Sequence, residues 1–213
     1  MTESGEPPAE TRQAIMEATY RAMRAHGYAD LTMSAIAAEF EKSQSLLHYH
    51  YDTKEDLLVA FLEYLIDGFV GKVESGEVDG DGAGGRADGT RTAGTPRETL
   101  DAVVDALLYG PDDWEDFSVA MLELRAQVPH SEAYRDQFVR NDDHLRALLA
   151  GLVEACVDAG EVGDVDPEAT ARRIMVALEG ARSRWLVLGD EAELRLGRAM
   201  IDDLLGATAE AAA

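Results

Sequence analysis

Cysteine, lysine and long apolar runs are what this sequence has least of. A single cysteine, Cys156, excludes a disulfide framework or a cysteine-based metal centre, and its place in the apolar-periodic stretch LLAGLVEACV makes it a small buried hydrophobe. No apolar run reaches the roughly 18 residues that a membrane-spanning helix needs. The first residues, MTESGEPPAE, are acidic and polar where a secretory signal would carry a basic stretch and then an apolar one. The expectation is a soluble, cytoplasmic protein. Period-two runs of β-branched residues are missing too, and apolar residues instead recur at three and four. The fold class is therefore all-α, and 213 residues, 46% of them apolar, suffice for one full domain with a smaller one attached.

Basic residues are scarce as well. Against 42 acidic residues stand 19 basic ones, a formal net charge of −23, and only Lys42, Lys54 and Lys72 among them are lysines. A surface of that sign repels nucleic acid at ordinary ionic strength, so composition taken alone argues against a DNA partner. In molar salt the Debye length falls to about 3 Å, and that repulsion and the chain's self-repulsion are screened. An acidic, lysine-poor chain of this kind suits the cytosol of a halophile. A GC-rich genome is the competing account, and it explains the arginine preference better than the scale of the acidic excess.

One segment breaks the helical periodicity: from Gly71 to Pro96 apolar residues nearly vanish and glycine recurs every few positions, the composition of a flexible linker. Upstream, four helices are expected. The first carries Ala14, Ile15, Ala18, Ala22 and Met23 on one face and stops at Gly27, and the second opens at Thr32, whose hydroxyl can cap the amides ahead. Ser43 caps a short third helix, SQSLLHYHY, and Thr53 caps a fourth with Glu55 and Asp56 in its first turn. Downstream come helices from Thr95-Pro96 to Leu108, from Trp114 to Val128, from Ser131 to Asp158, from Asp166-Pro167 through Leu188, and a last one after Gly189-Asp190. Nine helices result, and the short second and third form a helix-turn-helix in outline.

A recognition helix presents its N-terminal side chains to base edges in the major groove, and its amide-rich start points at a phosphate. Ser43, Gln44 and Ser45 occupy those positions. Gln44 can pair bidentately with an adenine, while the serines are small enough to let the backbone approach. At the other end Tyr49 and His50 lie beside Lys54, and a hydroxyl, an imidazole and an ammonium together make a phosphate clamp. Thr32 can cap its helix and touch phosphate as well. His48, His50 and Asp52 have the spacing of metal ligands on a strand. On a helix, however, residues i and i+2 point about 200° apart, so the imidazoles face different ways and no metal or other cofactor is expected.

Residues 11–69 resemble the N-terminal domain of the TetR family of one-component regulators. That family's pattern is a first helix ending in Gly-Tyr, a Thr opening the second, an Ile-Ala pair within it, a Ser opening the third, a YxHF-like end, and Lys-Glu-x-Leu opening the fourth. Here these are Gly27-Tyr28, Thr32, Ile36-Ala37, Ser43, His48-Tyr49-His50-Tyr51 and Lys54-Glu55-Asp56-Leu57. Glu41 departs from the usual turn glycine, and His48 from the usual tyrosine. The resemblance implies backbone contacts by Tyr49, His50 and Lys54, with core packing by Leu47 and Tyr51. The DNA-contacting set is then Thr32, Ser43, Gln44, Ser45, His48, Tyr49, His50 and Lys54.

The same resemblance implies a helix-turn-helix domain over residues 1–56, with helix four, 54–70, as connector, and a ligand-sensing and dimerisation domain over 57–213 that includes the linker 71–96. A small-molecule cavity among the middle helices draws on Phe61, Tyr64, Trp114, Phe117, Met121, Phe138 and Met175. The last two helices form the dimer, through Leu178, Ala181, Trp185, Met200, Ile201 and Leu204. The expected function is a ligand-responsive, sequence-specific regulator, most often a repressor in this family. As a homodimer it would place two recognition helices about one helical turn apart, roughly 34–36 Å, on a near-palindromic double-stranded operator. Two rivals come from other classes. An enzyme using the helical pocket would need His130 or His144 as base, and no nucleophile, metal set or phosphate loop accompanies them. A helical protein-interaction module that has lost DNA binding would suit the acidic charge.

The charge generates a test. Residues 1–60 hold Arg12, Arg21, Arg24, Lys42 and Lys54 against ten acidic residues, a formal charge of −5. Few counterions can be released on DNA binding, and cations must be taken up to screen carboxylates facing phosphates. Operator affinity, followed by fluorescence anisotropy from about 0.1 M to molar KCl, is expected to stay level or rise, with circular dichroism alongside to separate folding from binding. A steep fall with salt in a protein already folded at the low end would contradict the halophile account.

Overall fold

The computed structural model describes residues 8–40, 44–78, 94–110 and 114–210. Among these every regular element is helical: α1 (Ala9–His26), α2 (Met33–Glu39), α3 (Gln44–His50), α4 (Lys54–Glu74), α5 (Pro96–Tyr109), α6 (Trp114–Arg125), α7 (Glu132–Asp158), α8 (Pro167–Leu188) and α9 (Ala192–Glu210), with one 3-10 turn at Val128–His130.

Local chemistry sets most of the ends. Thr32 Oγ1 accepts the Ala35 N–H at 3.0 Å and Asp166 Oδ1 accepts the Ala169 N–H at 3.1 Å, each satisfying an amide that the first helical turn leaves unpaired. Thr53 and Asp56 cap α4 reciprocally: the Asp56 N–H donates to Thr53 Oγ1 at 3.0 Å and the Thr53 N–H to Asp56 Oδ2 at 3.1 Å. Gly27 closes α1 with a φ of +65°, in the left-handed region that a side chain disfavours.

Two boundaries differ from those expected. Gly71–Glu74 belong to α4 and not to the linker, because Val73 is buried in an apolar core and anchors the final turn. Residues 79–93, most of the expected linker, lie outside the described residues. The helix expected to run from Trp114 to Val128 stops at Arg125. Pro129 has no N–H to donate to the Arg125 carbonyl four residues back, and Val128–His130 form a 3-10 turn instead.

The chain forms two compact units: Met1–Asp67 with Asp113–Asn141, and Gly68–Asp112 with Asp142–Ala213. In the first, Ile15, Met23, Ile36, Leu47, Leu58 and Phe61 form one core with Phe117, Leu124 and Tyr134, so α6 packs with the N-terminal helices. In the second, α5, α8 and α9 close over Leu100, Val104, Leu149, Ile174, Ile201 and Leu205. Arg198 on α9 ties α5 to this core. Its guanidinium donates to Asp101 and Asp105, both at 2.7 Å, and also to Asp202.

Close packing of α8 on α9 depends on Gly197, where an added Cβ would lie 2.4 Å from the Ala181 Cβ. In an open helix alanine is favoured over glycine by about 1 kcal/mol. Here the forced separation costs about 1–3 kcal/mol and outweighs that gain. Gly197→Ala is therefore expected to lower the melting temperature in molar KCl, while Gly151→Ala on α7, with nothing within 4 Å of the new methyl, is expected to raise it. A Gly197→Ala variant at least as stable as the wild type would contradict this packing.

Candidate nucleic-acid interface

Seven residues cannot hold a helix in isolation, so α3 stands where tertiary contacts put it. Leu47 is fully buried and Tyr51, just past its end, is 8% exposed, both in the core that also takes Ile36 and Phe40 from α2. With those residues facing inward, the sequence spacing turns Ser45, His48 and Tyr49 outward, and all three are exposed, Tyr49 by 61%. Thr32 is exposed at the start of α2 with its hydroxyl oxygen accepting the Ala35 N–H. Gln44 opens α3, but its side chain, like the whole of Ser43, Glu41 and Lys42, lies outside the described residues.

His50 is half-buried, its ring edge-on to Tyr49 at 5.0 Å between centroids, and its Nδ1 is buried with no hydrogen-bond partner among the described residues. An unpaired buried nitrogen is cheaper as a bare acceptor than as an N–H, so the ring is best supplied with its proton on Nε2. Lys54 is not a free arm. Its Nζ donates to the Tyr28 and Leu31 carbonyls at 3.2 and 3.0 Å and lies 4.2 Å from the Tyr28 ring centroid. Burial lowers its pKa from the ordinary lysine value. Of three ammonium donors, two are thus engaged inside the unit.

The described arginines of α1 are engaged as well. Arg12 pairs with Glu63 at 3.0 Å, and Arg21 donates to the Glu39 carbonyl at 2.7 Å and to its carboxylate at 3.3 Å. Arg24 lies 5.8 Å from the Tyr20 ring centroid. Among the described residues the outward side chains of α3 are Ser45, His48 and Tyr49, each able to donate and accept hydrogen bonds. Among the described residues no group of three His, Cys, Asp or Glu side chains comes together as a metal site, and no helix is long and apolar enough to cross a membrane.

The residues named for an effector pocket fall in both cores. Phe61 and Phe117 are buried in the first, ring to ring at 6.4 Å, with Tyr64, Met121 and Phe138 half-buried around them. Met175 packs against the second core, and the Trp114 side chain lies outside the described residues. Both candidate bases, His130 and His144, are exposed. Of the residues named for dimerisation, Leu178, Ala181 and Ile201 are buried within the chain's own second core, Trp185 and Leu204 are half-buried, and Met200 is 54% exposed.

The reading from sequence missed Val176, Val187 and Leu196, which are 73%, 72% and 55% exposed. A signal was available: Arg172, Val176, Gly180, Arg184 and Val187 recur at three and four along α8, a stripe beside the one that packs inward. Together with Leu196 and Met200 of α9, four of these residues (Arg172, Val176, Gly180 and Arg184) line an open groove of about 430 Å³.

Two variants separate exposed contact from internal tie. Tyr49→Phe removes an outward hydroxyl, and is expected to weaken DNA binding several-fold with the melting temperature unchanged. Lys54→Met removes a charged donor from two carbonyls and is expected to cost about 1.5–3 kcal/mol in stability. Equal thermal stability of Lys54→Met and wild type would contradict the tie.

Known proteins bear on this geometry at the level of sequence and of fold. Residues 15–61 match the model of bacterial regulatory proteins of the tetR family, and residues 96–210 match that of the BetI-type transcriptional repressor C-terminal domain. The chain is 28% identical over 146 residues, 68% of its length, to the HTH-type transcriptional regulator BetI of Rhizobium meliloti, and the match spans just under two thirds of that relative, 66%. It is 25% identical over 183 residues, 85% of each chain, to the HTH-type transcriptional repressor AcnR of Corynebacterium glutamicum. A TetR transcription regulator from Haloarcula marismortui superposes with a TM-score of 0.76 at 39% identity, over 94% of this chain and 99% of that one. With both halves matched and a helix-turn-helix whose outward face is polar, this chain belongs to the TetR family of DNA-binding transcriptional regulators.

Proposed function

We propose that the protein is a ligand-responsive repressor that binds a near-palindromic operator as a homodimer and leaves it when a small molecule binds. The observation that carries this reading is α3: Leu47 is fully buried and Tyr51 nearly so, while Ser45, His48 and Tyr49 are turned outward on a helix too short to serve as scaffold. Ser43, Gln44, Ser45 and His48 are assigned to the bases and nearby phosphates. Thr32, Tyr49 and the Nε2–H of His50 are assigned to the backbone, with the remaining donor of Lys54. The match of residues 96–210 to a BetI-type repressor model supports the repressor direction.

The dimer is assigned to the open face of α8 and α9. Val176, Leu196 and Met200 leave an exposed apolar patch there, rimmed by Arg172, Arg173 and Arg184, and such patches on an otherwise charged protein mark interfaces. A two-fold axis through this groove would pair each patch with its own copy. The effector is assigned to the aromatic and methionine side chains named above, and its binding would act by favouring a state with the wrong separation of recognition helices. A halophilic, cytoplasmic setting accords with the charge.

On an operator selected by the protein from random duplexes, Gln44→Ala is expected to cost about 1–3 kcal/mol and to relax specificity at one position, with non-specific affinity barely moved. Met200→Asp is expected to give a folded monomer that has lost operator affinity. Equal losses on operator and random DNA for Gln44→Ala, or a Met200→Asp variant that remains a dimer by light scattering, would count against these assignments.

A further inference from the structure

Within the first unit, the turn between α1 and α2 is held by a residue 95 positions away: the Tyr28 N–H donates to Glu123 Oε2 of α6 at 2.7 Å. The fit is close. A Cβ at position 27 would lie 3.0 Å from that same oxygen, and Gly27 already has a φ of +65°. The carboxylate thus occupies space that only glycine leaves open, beside a backbone conformation that only glycine takes readily.

Tyr28 is joined in turn to the start of α4. Its carbonyl accepts from Lys54 Nζ, its ring lies under the same ammonium, and the Leu31 carbonyl, at the other end of the turn, takes the second donor. Lys54 is the first residue of α4 and follows α3 by a short connection. A second bridge runs parallel. Ser131 Oγ donates to Glu55 and accepts the Tyr134 N–H at 3.1 Å, and the Tyr134 ring meets Tyr28 edge-on at 6.5 Å. Burial, and then a hydrogen bond with Tyr28, raise the Tyr134 phenol well above its ordinary pKa, so this group stays protonated.

We infer that Glu123 is a positioning residue for DNA binding: through the Tyr28 amide it sets the α1–α2 turn against Lys54 at the start of α4, and with it the stand of α3, so loss of this carboxylate lowers operator affinity. The role rests on the DNA-binding reading given above. It asks only that one carboxylate fix a turn and that the turn fix the first residue of α4: the Glu123–Tyr28 and Tyr28–Lys54 links are direct contacts, and the last link to α3 is the short connection of residues 51–53. A fully conserved fold with α6 unlatched would leave the α1–α2 turn short of its acceptor, with the Tyr28 amide returned to solvent.

The test uses the full-length protein in molar KCl. Glu123→Ala is expected to lower affinity for the selected operator about tenfold, while Glu123→Gln, which keeps an oxygen acceptor, recovers most of it. In hydrogen exchange without DNA, Glu123→Ala should speed exchange at residues 28–31 and also at 44–52, leaving 9–26 and the second unit as in wild type. Exchange raised at 28–31 alone, a uniform rise across the first unit, or wild-type operator affinity in Glu123→Ala would each overturn the positioning role while the DNA-binding reading stands. A wild-type protein that selects no duplex would overturn that reading and this role with it.

Discussion

The ammonium of Lys54 on the Tyr28 and Leu31 carbonyls is the interaction on which the DNA-facing end of the molecule depends. Helices α2 and α3 have seven residues each, below the length at which a helix holds itself. Their orientation must come from outside. Buried Ile36, Phe40, Leu47 and Tyr51 fix one side of each, and Lys54 fixes the junction where the chain leaves α3 and enters α4. Desolvating the ammonium carries a cost, seen in its lowered pKa, and two carbonyls with an aromatic face offset it. A compact point charge suits two convergent carbonyls where a planar guanidinium fork would not, which gives one of only three lysines in the chain a reason to be lysine.

That arrangement recasts the charge problem. Arg12, Arg21 and Lys54 are committed to partners within the first unit, and the chain as a whole carries −23. Cations committed in this way have few donors left with which to displace counterions from a nucleic acid. The side chains that α3 turns outward among the described residues, Ser45, His48 and Tyr49, are a hydroxyl, an imidazole and a phenol, groups able to hydrogen-bond base edges and phosphate oxygens. Hydrogen bonds of that kind depend on direction as well as distance, where a bare charge depends on distance alone.

Much of the fold was legible because it rests on local chemistry. Thr32, Thr53 and Asp166 cap the helices they precede, and Gly27 ends α1, for reasons visible within four residues of each position. The helix-turn-helix was legible in outline from two short capped helices in succession, while the inward placing of Leu47 and Tyr51 was implied by the family resemblance. What was not legible depends on partners far along the chain. Val73 extends α4 into the expected linker because a core awaits it, and Gly197 reads as an indifferent helix residue until Ala181 is placed against it. The internal tie of Lys54 is of the same kind, since nothing near it in sequence shows Tyr28 beneath its ammonium. The carboxylate of Glu123 is hidden in the same way, one acid among many until its hydrogen bond to Tyr28 is seen.

The central claim is a two-fold symmetric, sequence-specific DNA binder, and selection from a random duplex library by the purified protein in molar KCl tests it most directly. The account predicts enrichment of a near-palindrome whose half-site centres lie about one helical turn, roughly 10 base pairs, apart. No enrichment at any salt, or enrichment of a single unrepeated half-site, would contradict it.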